Sequence, residues 1–351
     1  MKGGYPMSQI IDLKRIWKVL TRILIVIFFV TGVILSRSFF TDLMKGPSLV
    51  FLLLGGVGMA LMGFSVREIG TAFKQVAAGP DNKESLQNSA YFWEAAARHF
   101  LMLGVLGAFI SFITTLGMSR GGIANIALGM SESFLPAVYG MILGVICFVP
   151  VLKLTGELSK LPLQAPSEAL EKPGEKAFKI LRLENIIGYA LFIAVVGWTI
   201  ISSVSQGELP GPLNPLEVFI YWPSLLVVLG GTIVLVMFIG DAAAGGSFTL
   251  SFALTGLIGS LMAFVQTLIS FSSRGVRDVA SAITFIISSC LIALLGMMLV
   301  GIPLEDRTIK SGKNKKQLAL SRIAWYVFPV VALILLIFAF VMVLIPVKKV
   351  V

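Results

Sequence analysis

The residues able to do chemistry in this chain are few, and they sit in or at the ends of long apolar runs. Ser260 and the run Ser288-Ser289-Cys290 place hydroxyls and a thiol in two such runs. Thr114 and Thr115 add two hydroxyls in a third, and Glu132 adds a carboxylate near the outer end of a fourth. A carboxylate in hydrocarbon must change its protonation or find partners, and small hydroxyls can solvate an ion without fixing a counter-charge. The same residues have a structural use. Serine and threonine bond back to their own helix and permit close packing, and a carboxylate at a helix end near Arg120 is simply solvated. Both uses stay open for each residue.

Other chemistry is poorly supplied. The two cysteines, Cys147 and Cys290, both lie in apolar runs and read as small buried residues rather than a disulfide or metal ligands. The single histidine, His99, cannot build a metal site alone and is expected at the membrane interface beside Arg98. Neither G-x-x-x-x-G-K-[ST] nor a G-x-G-x-x-G after a strand is present, so no nucleotide site and no cofactor is expected. Tyr139, near the middle of its run, carries no assigned chemistry.

The elements that must hold these residues follow from composition. Of 351 residues, 57% are hydrophobic and 13% charged, and the mean hydropathy is +0.94. Soluble domains carry about 25% charged residues, and a soluble fold of this length could not hide so much apolar surface. The composition argues for an integral membrane protein and against a soluble enzyme or a free nucleic-acid binder. Nine apolar stretches have the length of spanning helices: roughly 19–36, 47–66, 99–118, 131–152, 184–204, 222–240, 249–270, 280–302 and 323–346. The first is preceded by basic residues without a small-x-small cleavage site, so it is expected to remain as an uncleaved helix.

The net charge of +10 is localised between these stretches. With the N-terminus inside, 21 of the 28 Lys and Arg residues fall on one side, in the N-terminal segment, 67–98, 153–182 and 307–322. That bias predicts a cytoplasmic N-terminus and a periplasmic C-terminus in a bacterial inner membrane. It also explains the basic pI without nucleic acid. The 241–248 turn, nominally inside, has no basic residue. The run Lys310, Lys313, Lys315, Lys316 reads as a topogenic loop facing anionic lipid.

The chain also repeats itself. Pro47-Ser48-Leu49 followed by Gly55-Gly56 reappears as Pro223-Ser224-Leu225 followed by Gly230-Gly231. Leu103-Gly104-Val105-Leu106-Gly107 recurs as Thr255-Gly256-Leu257-Ile258-Gly259, and each is followed by a proline at the far end of the next helix, Pro150 and Pro303. Four helices per unit give both units one orientation, a parallel repeat. The expected architecture is all-α: a cytoplasmic segment (1–18), a four-helix unit (19–155), a cytoplasmic linker (156–180), a second four-helix unit (181–305), and a basic loop with a ninth helix (306–351). Gly104, Gly107, Gly140, Gly256 and Gly259, with Pro150 and Pro303, are expected to be packing positions of the third and fourth helices of each unit. The first unit has about thirty residues between its second and third helices, the second roughly ten.

This ordered set resembles the MotA/TolQ/ExbB proton-channel family. Its second-helix signature is similar to Pro223-Ser224-Leu225-Leu226-Val227-Val228-Leu229-Gly230-Gly231, its third-helix Gly-x-x-Gly-Thr to Gly104–Ala108 and Gly256–Ser260, and its fourth-helix Thr-x-Tyr-Gly to Ala137-Val138-Tyr139-Gly140. The resemblance covers some 250 residues. It implies a non-enzymatic homo-oligomer whose third and fourth helices line a pore around a single-pass partner of the MotB/TolR/ExbD type, each partner bearing one intramembrane Asp. The family's pore threonines sit beside that Asp.

The chain departs at those positions. Both threonine sites of the first unit are alanine, Ala108 and Ala137, while the second unit has Ser260 and Cys290, with Ser288 and Ser289 adjacent. An acid that some members carry five residues before the fourth-helix threonine is matched by Glu132, with Phe285 at the equivalent place. Glu132, Ser260, Ser289, Cys290, Thr114 and Thr115 are therefore the ion-path candidates. The small insert makes envelope work a better expectation than a flagellar motor, and a five-membered ring cannot be tiled evenly by two-unit chains. Two other readings stay open: a scaffold that keeps the fold without conducting, and a small-molecule transporter with a parallel repeat.

Overall fold

The computed structural model describes residues 46–78, 83–117, 129, 132–158, 183–206, 221–239, 245–273, 276–305 and 315–347. The chain divides into two compact units, 1–49 and 50–351. Of the first, only 46–49, the opening turn of a helix, are described; the expected helix at 19–36 lies outside the described residues, as does most of the linker.

The described residues are almost wholly helical, with no strand among them. In chain order the helices are α1 (Gly46–Gly63), α2 (Val66–Ala78), α3 (Lys83–Gly117), α4 (Leu135–Leu158), α5 (Leu183–Gln206), α6 (222–239), α7 (Gly245–Ser273), α8 (276–305) and α9 (Lys315–Val347). Seven of them are long and apolar enough to cross a membrane, and Trp222–Met237 in α6 is a shorter apolar helix. The protein is an all-α, multi-pass membrane protein. Each apolar stretch within the described residues became a helix, because lipid offers the backbone no other partner. Two of the helices contain a π-turn, Leu226–Gly230 in α6 and Met297–Gly301 in α8.

Two antiparallel hairpins, α3–α4 and α7–α8, share the most extensive contacts. In lipid there is no hydrophobic force between apolar helices, so close packing of small residues must supply the association. A Cβ on Gly140 would stand 2.5 Å from Phe100 O and 2.7 Å from Gly104 Cα. α1 crosses α5 at an equally bare point, where a Cβ on Gly188 would lie 2.6 Å from Met62 N and 2.8 Å from Gly58 O.

α3 is the central helix and most of it is buried. It starts at Lys83 rather than near 99, because its first turns are polar and leave the apolar stretch. Against that extension packs α2, an amphipathic helix that was not anticipated within the insert. Ser65 and Glu68 start it as a capping box: Ser65 N donates to Glu68 Oε2 at 2.7 Å, and Glu68 N donates to Ser65 Oγ at 3.2 Å. Ala72 of its apolar face, with Phe64 just before its start, packs in one cluster with Phe92 and Ala95 of α3. Trp93 Nε1 donates to Ala72 O at 3.3 Å, and Lys153 Nζ of α4 donates to Val76 O at 2.6 Å in the last turn of α2.

Candidate functional site

Among the described residues, three polar clusters of the interior bear on function. The first lies in the α7–α8 hairpin. Ser260 Oγ is 3.1 Å from Cys290 Sγ and donates to Gly256 O at 2.7 Å. The Ser289 hydroxyl sits where a Cβ on Gly259 would be 2.9 Å away. Ser260, Ser288, Ser289 and Cys290 are all fully buried, and the hydroxyls of Ser288 and Ser289 have no hydrogen-bond partner. Two unsatisfied buried hydroxyls side by side are unusual. They can accept or donate to a group brought against them. Thr232 of α6 extends the polar line, 3.0 Å from Thr255 Oγ1.

The second cluster lies in the α3–α4 hairpin. Thr115 Oγ1 is 2.9 Å from Ser133 Oγ and 2.9 Å from Gly129 O. Both threonines also bond back to their own helix, Thr114 to Ile110 O and Thr115 to Ser111 O, each at 3.0 Å, the structural use of a helical threonine. Glu132, half-buried, neighbours Ser133 in sequence. At the two positions where hydroxyls were absent from the sequence, Ala108 and Ala137 are fully buried. Thr115 with Ser133 belongs to the α3–α4 hairpin, and Ser260 with Cys290 to the α7–α8 hairpin.

The hairpins are built alike. Gly104 and Gly107 of α3 face Gly140 and Pro136 of α4; Gly256 and Gly259 of α7 face Ala293 and Ser289 of α8. The third-helix positions differ by 152 in number and the fourth-helix positions by 153.

The third cluster was missed in the sequence. Arg98 of α3 and Glu305 at the end of α8 form an ion pair at 3.1 Å, both side chains at or below 4% exposure. Trp325 Nε1 of α9 donates to the other carboxylate oxygen, Glu305 Oε2, at 2.5 Å. The Arg98 guanidinium also lies 5.8 Å from the Trp325 ring centroid and 6.0 Å from that of Tyr91, within cation–π range. With His99, these residues line a cavity of about 10 Å³, room for about one water. Arg98 Nε has no protein partner. His99 is buried inside the protein, where α8 and α9 pack against this end of α3. Outside the pair, Arg322 of α9 approaches Glu94 at 3.6 Å, a more exposed contact. The sequence offers only a charged residue beside each of two different apolar runs, Arg98 before 99–118 and Glu305 after 280–302.

Among the described residues no three His, Cys, Asp or Glu residues gather to hold a metal. No protein-family model, no curated protein and no solved structure matches this chain.

Proposed function

We propose that this chain is a non-enzymatic inner-membrane subunit of the proton-channel, stator-like kind, built from two like-oriented units and coupling proton-motive force to work on the envelope. The observation that supports it is the matched pair of hairpins. α3–α4 and α7–α8 bring equivalent positions together through the same glycine-spaced faces, as a fused duplicate of one pore-forming hairpin would.

In this reading the α7–α8 hairpin carries the ion-facing chemistry. Ser260 with Cys290, and the unpartnered hydroxyls of Ser288 and Ser289, solvate a carboxylate that takes and releases a proton. That carboxylate belongs to a single-pass partner of the MotB/TolR/ExbD type. Glu132, with Thr115 beside Ser133, forms a polar mouth on the other hairpin. The N-terminus is cytoplasmic, and one charge crossing 100 mV releases about 2.3 kcal/mol to drive motion.

A scaffold without conduction is the second reading, favoured by the buried methyls of Ala108 and Ala137, which offer an ion nothing. Proton flux into vesicles holding the chain and a neighbour-encoded one-helix protein with an intramembrane Asp separates the two. Uncoupler-sensitive flux supports the channel; its absence with a properly assembled complex favours the scaffold.

A further inference from the structure

α9 stands outside both four-helix units, yet it is packed against the polar hairpin of the second. Its buried face runs Trp325, Phe328, Ala332, Leu336 and Ala339, all at or below 3% exposure, at the three- and four-residue spacing of one helix face. Its other face, with Val327, Val330, Ile334 and Val341, is 45–58% exposed.

Three contacts fix how α9 lies. Trp325 bonds to Glu305 at the end of α8. A Cβ on Gly256 of α7 would press on Ala293 of α8 and lie 3.1 Å from the Phe328 ring of α9, so Gly256 sits in the cleft between α8 and α9. Two turns on, the rings of Phe264 and Phe338 have their centroids 4.5 Å apart. Residue numbers rise together from the second contact to the third, so α9 runs parallel to α7. Between these two contacts lies Ser260, one turn past Gly256 on the same ridge, with Cys290 Sγ 3.1 Å from its hydroxyl. One turn past Phe328 on α9 stands Ala332, fully buried. The helix that closes over the hydroxyl–thiol pair therefore brings only a methyl group to its level, a notch between Phe328 and Leu336.

We propose that α9 occupies the seat of a carboxylate-bearing helix. Ser260 and Cys290 supply hydrogen bonds that a carboxyl group needs in hydrocarbon, and α9, with Ala332 at their level, holds the place shut. This rests on the reading above, in which the carboxylate comes from a single-pass partner, and adds a step to it: the partner's helix reaches the pair only after α9 has left. The attachments of α9 suit such an exchange. Its two polar ones, Trp325 with Glu305 and Arg322 with Glu94, lie at its inner end. Phe328 on Gly256 and Phe338 on Phe264 are apolar contacts, which another apolar helix or lipid can replace.

Thermal melting of the full chain in lipid discs tests the seat without a partner. Ala332→Asp and Ala332→Leu place side chains of similar size there, one able to hydrogen-bond. The aspartate variant is expected to melt above the leucine variant, against the usual order for a helix in hydrocarbon. With Ser260→Ala in both chains that advantage should be lost. Ala332→Thr against Ala332→Val repeats the comparison with smaller side chains should the first pair fail to fold. An apolar variant melting above its polar counterpart with Ser260 present overturns the seat, and so does an order that ignores Ser260. Displacement is tested in vesicles that also hold the partner. Phe264→Cys and Phe338→Cys, joined by a bifunctional methanethiosulfonate, pin α9 to α7. Pinning is expected to stop proton flux and reduction to restore it; flux that persists through the pin overturns the displacement. Vesicles without flux before pinning refute conduction and the displacement with it, and leave the seat to the melting order.

Discussion

Arg98 and Glu305 are separated by 207 residues in sequence and meet at 3.1 Å in a buried ion pair. The pair ties the central helix α3 to the end of α8, and Trp325 adds α9 through its bond to the same carboxylate. Three segments with no local relationship are thus fixed at one end of the bundle. A buried pair gains little over an apolar replacement, yet breaking it leaves an uncompensated charge, which costs about 3–5 kcal/mol. Its value here is register.

Removing one partner should therefore hurt more than removing both. Glu305→Leu or Arg98→Met alone is expected to lower the thermal unfolding midpoint of the detergent-solubilised protein strongly. The double substitution is expected to recover a large part of that loss. Trp325→Phe, which loses one hydrogen bond to a charged group, should cost about 1.5–3 kcal/mol. Equal and additive losses from the single and double substitutions would contradict the coupling.

The α3–α4 contact predicts a steric result. Gly140→Ala places a methyl against backbone atoms, Phe100 O and Gly104 Cα, rather than against a side chain that can swing away. It should force the hairpin apart at a cost of about 1–3 kcal/mol. Gly70→Ala is the control: the glycine is exposed in α2, and a Cβ there meets nothing within 4 Å. That change should stabilise by up to about 1 kcal/mol. Thermal unfolding of the two variants checks both signs.

The start of α2 depends on a capping box, so Ser65→Ala should loosen that helix first. The expected cost is about 1 kcal/mol. Hydrogen exchange should quicken over 66–78 while the interior of α3 keeps its protection. Uniform loss of protection would mean that α2 is not an independent element.

Proton flux tests the polar cluster of α7–α8. Ser260→Ala combined with Ser289→Ala removes a bonded and an unpartnered hydroxyl from one wall. If these solvate an ionising carboxylate, flux should fall about tenfold or more, the size of one hydrogen bond to a charge. Glu132→Gln should act separately on the other hairpin, lowering flux by a smaller factor. Unchanged flux in both variants would reduce these residues to packing.

The helices were legible because lipid makes apolar length decisive: 47–66, 184–204 and 323–346 each became a helix. Boundaries failed where that logic stops. α3 reaches back to Lys83 and α8 is helical as far as Glu305, both past the apolar stretch, and there the deciding contacts are with other helices. α2 was legible in principle through Ser65 and Glu68, a short signal in a segment notable only for being polar. The Ser260–Cys290 meeting joins two positions that only the family resemblance singles out in the sequence. The Arg98–Glu305–Trp325 cluster could not be read, since no pattern in one sequence pairs residues 98 and 305.

All of this depends on the two hairpin units being inserted in the same sense. Lys74 of α2, in the first unit, and Lys315, at the start of α9 after the second, then face the same compartment. Each is replaced by cysteine in turn and labelled with a membrane-impermeant maleimide in right-side-out and inverted vesicles. Labelling of both only in inverted vesicles is the predicted result. Labelling from opposite sides would contradict the duplicated architecture, and with it the conduit derived from it.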